Sequence, residues 1–250
     1  MAFRRGGHPP SGPGADAAPA GPPDRAAAPA GSRADVAAPP LLVACALGIE
    51  RLALRSGERA AGTHPRVTVV RTGMGPRAAE RSVARALAEP ALRGAAVVAT
   101  GFCAGLVPGM HPGDLVVAEE TRDPLGTVTC AGSATLAGAL ARVAPGRTVH
   151  TGVLTGSDHV VRGAERAELR ATGAIAVDME SAATLRSALY GPGAPPGGRP
   201  VAAVRVIVDA PEHELVRIGT VRGGISAFRV LRAVLPAFYD WHRSLPLPRR

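Results

Sequence analysis

Four acidic side chains stand where chemistry is expected. In Ala174-Ile-Ala-Val-Asp178-Met-Glu180, an apolar run with β-branched Ile175 and Val177 ends in two carboxylates. The run reads as a short buried strand, with a helix from Ser181 to Leu189. Asp178 and Glu180 thus sit where the strand stops, the edge at which open α/β sheets bind ligands. Glu180 could equally do no more than favour the first turn of that helix through the macrodipole. Asp209 directly follows eight mostly apolar residues, Val201–Val208. An apolar setting keeps a carboxyl group protonated, as a general acid requires, although an Asp here could also cap a turn. Glu50 comes shortly after the first apolar run. Gly73, Gly75, Gly101 and Gly105 fall after such runs, where main chain can approach a ligand and offer amide donors. Many turns of this kind only reverse the chain.

The elements that must position these residues alternate along the chain. Strands are expected at 41–46, 66–71, 95–100, 115–118, 148–155, 174–177 and 201–208. Helices are expected from Gly48, over 77–87 with Pro76 near the first position, and over 134–143, 162–171 and 181–189. A last helix spans 221–242, with Phe228, Leu231, Val234 and Leu235 on one face and a kink at Pro236. The alternation predicts one α/β domain, a central mixed twisted sheet flanked by helices in three layers. Residues 1–39, rich in Ala, Pro and Gly, cannot offset their ordering entropy by burial and are expected to be disordered. The catalytic domain is placed at 40–243, with a flexible tail at 244–250.

Composition narrows the function. The chain has 250 residues, 46% of them apolar but only 3% aromatic, so its core must be built from Ala, Val and Leu. A formal charge of +9 invites a nucleic-acid reading, but the arginines are scattered and aromatics for base stacking are missing. No apolar run is long enough to span a membrane, and Arg4 and Arg5 precede no apolar stretch of a secretory signal. A cytoplasmic protein is expected. Cys45, Cys103 and Cys130 are too widely spaced for a zinc motif, and an odd count does not suggest a disulfide framework. Small buried cysteines are the ordinary reading, and an iron-sulfur cluster on three thiolates, with a redox enzyme, is the alternative to it.

Taken in order, Thr72-Gly-Met-Gly, Thr100-Gly-Phe-Cys-Ala-Gly-Leu with Pro-Gly-Asp114, Ile175-Ala-Val-Asp-Met-Glu180 and Val204-Arg-Val-Ile-Val-Asp209 resemble the successive motifs of the purine and uridine phosphorylase superfamily, which includes methylthioadenosine/S-adenosylhomocysteine nucleosidase. The resemblance covers residues 41–240, and Ala-Cys-Ala-Leu-Gly-Ile-Glu50 is most similar to the hopanoid-associated branch, whose proposed role is removal of adenine from adenosylhopane. It implies that Glu180 binds the ribose hydroxyls, Met179 lines the sugar, Asp209 donates to purine N7 and Glu50 orients the attacking water. His159 falls near the family's purine-stacking aromatic, though a solvent-facing turn residue fits that position equally. Phe102, Cys103, Gly101, Gly73 and Arg205 complete the expected substrate-binding set.

The departures bear on the nucleophile. Ala99 stands where phosphorylases place an Arg for phosphate, so an anion would depend on the amides of Gly73, Gly75 and Gly101. Water is therefore the expected nucleophile, no cofactor or metal is expected, and phosphate is the one co-substrate left open. Val208 stands where nucleosidases commonly have Ser, which weakens the case for adenine. Buried Arg205 must find a partner, Asp178 or Glu180. The expected reaction is N-glycosidic cleavage of a purine nucleoside, hydrolytic or phosphorolytic; a silent nucleoside-binding protein is the alternative outside catalysis. The resemblance also implies a homo-oligomer whose neighbouring loop closes the 5′ side. A lipid-linked substrate would bring peripheral membrane contact, which a basic surface suits.

Overall fold

Alternation of side chains along the strands divides the core into two layers. Leu41, Val43 and Cys45 of the first strand pack on one face of the sheet, while Leu42 and Ala44 pack on the other. The same division runs through the central strands, with Ala96 and Val98 opposed to Val97 and Ala99, and Ala202, Val204 and Val206 opposed to Val201, Ala203 and Ile207. Period-two packing with both faces buried requires helices above and below.

The structure, a computed structural model, describes residues 39–61, 66–210 and 220–246, without the side chains of 61 and 220–224. The tails expected over 1–39 and 244–250 lie outside the described residues at 1–38 and 247–250. All described residues belong to the unit Ala37–Arg250. The elements are β1 (Leu41–Cys45), α1 (Gly48–Ala61), β2 (Val67–Arg71), α2 (Pro76–Leu87), β3 (Ala96–Gly105), β4 (Leu115–Asp123), β5 (Gly126–Thr129), α3 (Ser133–Val143), β6 (Val149–Gly156), α4 (Ala164–Ala171), β7 (Ala174–Asp178), α5 (Ser181–Tyr190), β8 (Val201–Asp209), α6 (Thr220–Ala233) and α7 (Leu235–Ser244). Helices α1, α3, α6 and α7 cover one face, and α2 and α5 pack together on the other.

The sheet is mixed, in the order β2-β1-β3-β7-β6-β4-β5, with β8 joining β3 in parallel and β4 antiparallel. Strands β3, β7, β6, β4 and β8 thus close a circuit, and the ends of β1, β3, β7 and β8 converge on the acidic residues. Among the described residues, no helix is long and apolar enough to cross a membrane.

Four expectations are corrected. β3 does not stop at Thr100 but continues to Gly105, paired with β8 and then with β7. β4 runs on to Asp123 and turns into β5, a short edge strand that its Gly and Thr content concealed. The final helix is two: α6 ends at Ala233, and Pro236 occupies the opening turn of α7 instead of kinking a continuous helix. A proline is tolerated there because its missing N–H had no partner within the helix. The core is also less purely aliphatic than composition implied, since α7 buries Phe238, Tyr239 and Trp241, the Trp241 indole N–H donating to Ala131 O at 2.8 Å.

Candidate active site

Arg205 is the floor. It lies on β8 with 1% of its surface exposed, and its guanidinium reaches Asp178 at 2.5 Å and Glu180 at 4.0 Å. Its Nε donates to Ser181 Oγ at 2.9 Å and its Nη1 to Thr100 O at 3.1 Å. The partner the sequence demanded is therefore both carboxylates, Asp178 the nearer. Burial works against the guanidinium's charge, but Asp178, Glu180 and Glu50 outweigh it and move its pKa up. Arg205 was expected to bind substrate; it instead lies beneath the cleft and holds the acids in place, as a fully buried cation must.

Glu50 enters from the first turn of α1. Its Oε2 accepts from the main-chain N–H of Ala46 and of Leu47, each at 2.8 Å, and its Oε1 accepts from Phe102 N–H, also at 2.8 Å. Three of about four lone-pair directions on the carboxylate are thereby used. Gly101 makes this approach possible: a Cβ there would lie 2.5 Å from Glu50 Oε1 and 2.7 Å from Arg205 Nη1. Its φ of 137° also lies where side chains are strained. Gly101 serves the site by what it lacks.

Glu180 sits at the junction of β7 and α5, its Oε1 accepting from Gly75 N–H at 2.8 Å. Gly75, at φ 87°, is the residue before α2 and turns that N–H inward. Burial pushes the Glu180 carboxyl above its ordinary range; Arg205 opposes, Asp178 adds to the rise, the Gly75 N–H opposes, and Glu50 adds again, leaving the net direction upward. The glycine amides considered for phosphate are thus partly committed, Gly75 N–H to Glu180 and Gly73 N–H to Ala46 O at 3.2 Å.

Above these groups is a cleft of about 240 Å³, lined by Glu50, Asp178, Glu180 and Asp209 among apolar side chains including Phe102, Cys103 and Met179. Asp209, at the end of β8, is not in the wholly apolar setting its preceding sequence suggested. Arg166 Nη2 donates to its Oδ2, while Oδ1 has no partner among the described residues. His159 stands at the mouth, its side chain 58% exposed, with Nδ1 2.8 Å from Asp158 and Nε2 3.1 Å from Glu165. The hydrogen bonds to Asp158 and Glu165 raise its pKa. Met74, Val160 and Val161 also line the cleft, and sequence reasoning had not singled them out. Arg166 was missed as well, because Ala-Glu-Arg-Ala-Glu-Leu-Arg reads as an ordinary solvated helix.

Burial raises the thiols of Cys45 and Cys130 to about 12, and that of Cys103 upward also. Among the described residues, no three His, Cys, Asp or Glu side chains are grouped to hold a metal ion.

The family model of the phosphorylase superfamily matches residues 41–236. The chain belongs to the phosphorylase superfamily. Solved structures in which this superfamily's fold recurs include the 5′-methylthioadenosine/S-adenosylhomocysteine nucleosidase of Neisseria meningitidis in complex with methylthio-immucillin-A, 20% identical, covering 80% of this chain and 98% of that one, at a TM-score of 0.65. Futalosine hydrolase of Helicobacter pylori is 16% identical, with 81% and 98% covered and a TM-score of 0.65. The Streptococcus pneumoniae MTA/SAH nucleosidase in complex with 8-aminoadenine is 20% identical, with 80% and 99% covered, at 0.62. No curated protein sequence matches the chain. As in the superfamily at large, enzymatic cleavage of a glycosyl bond is the activity supported.

Proposed function

We propose that the protein is an N-ribosyl hydrolase releasing adenine from a 5′-substituted adenosine, with water as nucleophile. The observation that carries this is the place of Glu50. Three main-chain N–H groups, from Ala46, Leu47 and Phe102, make an anion cradle, and a side chain of the protein already fills it. Glu50, Asp178 and Glu180 face one cation, Arg205; with Asp209 holding the proton it delivers, Arg166 offsets one more charge and this side of the cleft keeps one excess negative charge. Two unit charges 4 Å apart interact by about 4 kcal/mol at an effective dielectric near 20. That field opposes a phosphate dianion and favours the positive charge of an oxocarbenium-like transition state.

In this reading Glu180 accepts hydrogen bonds from the ribose 2′- and 3′-hydroxyls and Met179 lies against the sugar. The lone pair left on Glu50 Oε1 receives a proton from water as its oxygen attacks C1′. Asp209 protonates N7 from Oδ1, so that adenine leaves neutral. His159 lies over the entrance, where it would close on the base.

The 5′ substituent would leave through the cleft mouth. Met74, Val160 and Leu125, 66%, 56% and 73% exposed, present apolar surface in this region. This supports an apolar 5′ group such as that of adenosylhopane, and also a homo-oligomer in which a second copy covers the same region. A cytoplasmic site of action belongs to the same reading. Purified protein incubated with 5′-substituted adenosines, with and without phosphate, tests it by chromatography of the products. Equal adenine release without phosphate is the expected outcome; strict phosphate dependence with ribose 1-phosphate products would replace water as nucleophile, and no release from any substrate would favour a binding role.

A further inference from the structure

We infer that Arg166 is a positioning residue for the acid Asp209, and that the first turn of α4 holds both sides of the base pocket; this rests on the reading of Asp209 given above. Two adjacent residues of that turn reach opposite parts of the cleft. Glu165 receives His159 Nε2 at 3.1 Å, and Arg166 donates to Asp209 Oδ2. The turn is itself anchored by Arg166 N–H donating to Gly163 O at 3.2 Å. One helix start therefore ties the residue at the mouth to the carboxyl group at the pocket's edge.

Stability alone does not account for this arginine. The side chains of Arg166 and Asp209 are 10% and 9% exposed, and burying such a pair is often no better than an apolar pair of the same size. One helical turn further on, Leu169 packs against the apolar cluster of Leu106, Val161, Ala174 and Val177, so apolar packing is available to this element. Each partner also keeps an unpaired buried atom among the described residues, Arg166 Nη1 and Asp209 Oδ1. The pairing has used one oxygen of Asp209 and left the other free.

That division suits proton delivery. Asp209 lines the cleft, and with Oδ2 held by Arg166 its Oδ1 is the oxygen left without a partner among the described residues, from which the proton passes to purine N7. The electron pair of the glycosidic bond goes to N9, water oxygen bonds to C1′, and the proton released from water goes to Glu50. Asp209 is left as a carboxylate facing the Arg166 guanidinium, which stabilises it. The guanidinium itself stays protonated throughout. Solvent then returns the Glu50 proton to Asp209.

The test compares Arg166→Met, Arg166→Lys, Asp209→Asn and the Arg166→Met/Asp209→Asn pair for adenine release without phosphate. Arg166→Met is expected to lower kcat about tenfold or more, inside the range for general acid catalysis, with little change in KM. Arg166→Lys should restore part of the loss, and Arg166→Met added to Asp209→Asn should cost little further, because the two act as one unit. Should Arg166→Met fail to fold with Asp209 orphaned, the double variant, which buries no charge, supplies the comparison with Asp209→Asn. A wild-type kcat in Arg166→Met, or a loss that multiplies fully with that of Asp209→Asn, overturns the inference while leaving the hydrolase reading intact. A wild-type protein that releases no purine overturns the reading itself.

Discussion

Replacing Glu50 by Ala would empty a cradle without moving its walls. The N–H groups of Ala46, Leu47 and Phe102 would lose the carboxylate that each now meets at 2.8 Å. Leaving a buried donor unsatisfied costs about 1–3 kcal/mol, so three partly buried donors at the low end imply about 3 kcal/mol of lost stability. Loss of the base should lower adenine release by about two to four orders of magnitude. The same three donors, with Arg205 behind them, would form a site for a small anion. Formate has the missing carboxylate's shape, and at about one hundred times its Kd it would return about 2.7 kcal/mol. The assay follows thermal unfolding and phosphate-free turnover of Glu50→Ala across a formate titration, with wild-type protein as control. Stability and rate should rise together in the variant and stay flat in the wild type. A variant that turns over at the wild-type rate without added anion, or whose stability and rate ignore formate, would refute both the cradle and the role given to Glu50.

Three further outcomes are expected. Arg205→Met should cost about 3–5 kcal/mol, the usual result of stranding buried charges, here Asp178 and Glu180; denaturant unfolding checks this, and unchanged stability and activity would remove the floor role. Because Glu180 titrates above its ordinary value of 4.5, KM for nucleoside should fall as pH rises through that raised pKa, since only the carboxylate accepts from both Gly75 N–H and the sugar; Glu180→Gln should flatten this limb. The thiols of Cys45, Cys103 and Cys130 are buried and raised in pKa, so a thiol reagent at neutral pH should label them only after denaturation, and rapid labelling of native protein would contradict their burial.

Much of this architecture is legible in the sequence because the apolar runs are short, β-branched and cleanly separated. Val201–Val208 and Ala174–Val177 announce strands, and the acids that end them announce a site. Arg205 could be called paired from its position alone, since an isolated guanidinium inside a strand has no tolerable alternative. Other features depended on contacts distant in sequence. The continuation of β3 through Gly101 and Gly105 was hidden because two glycines in a strand look like a turn. Gly126–Thr129 forms a strand only because β4 offers it an edge. Asp209 looked apolar because its chain neighbours are apolar, whereas its partner comes from α4, 43 positions away. Arg166, in turn, sits in a charge pattern that a solvated helix would share.

Gly101 couples three distant parts of the sequence through one absent carbon atom. A carboxylate at position 50 and a guanidinium at 205 can both press against position 101 only while no side chain grows there. The three positions therefore form a unit of inheritance: a lineage could enlarge residue 101 only after shortening or redirecting one of the other two. In a randomised library, variants at 101 should be recovered together with changes at 50 or 205, and the order of those changes would fix the routes by which such a site exchanges one nucleophile for another.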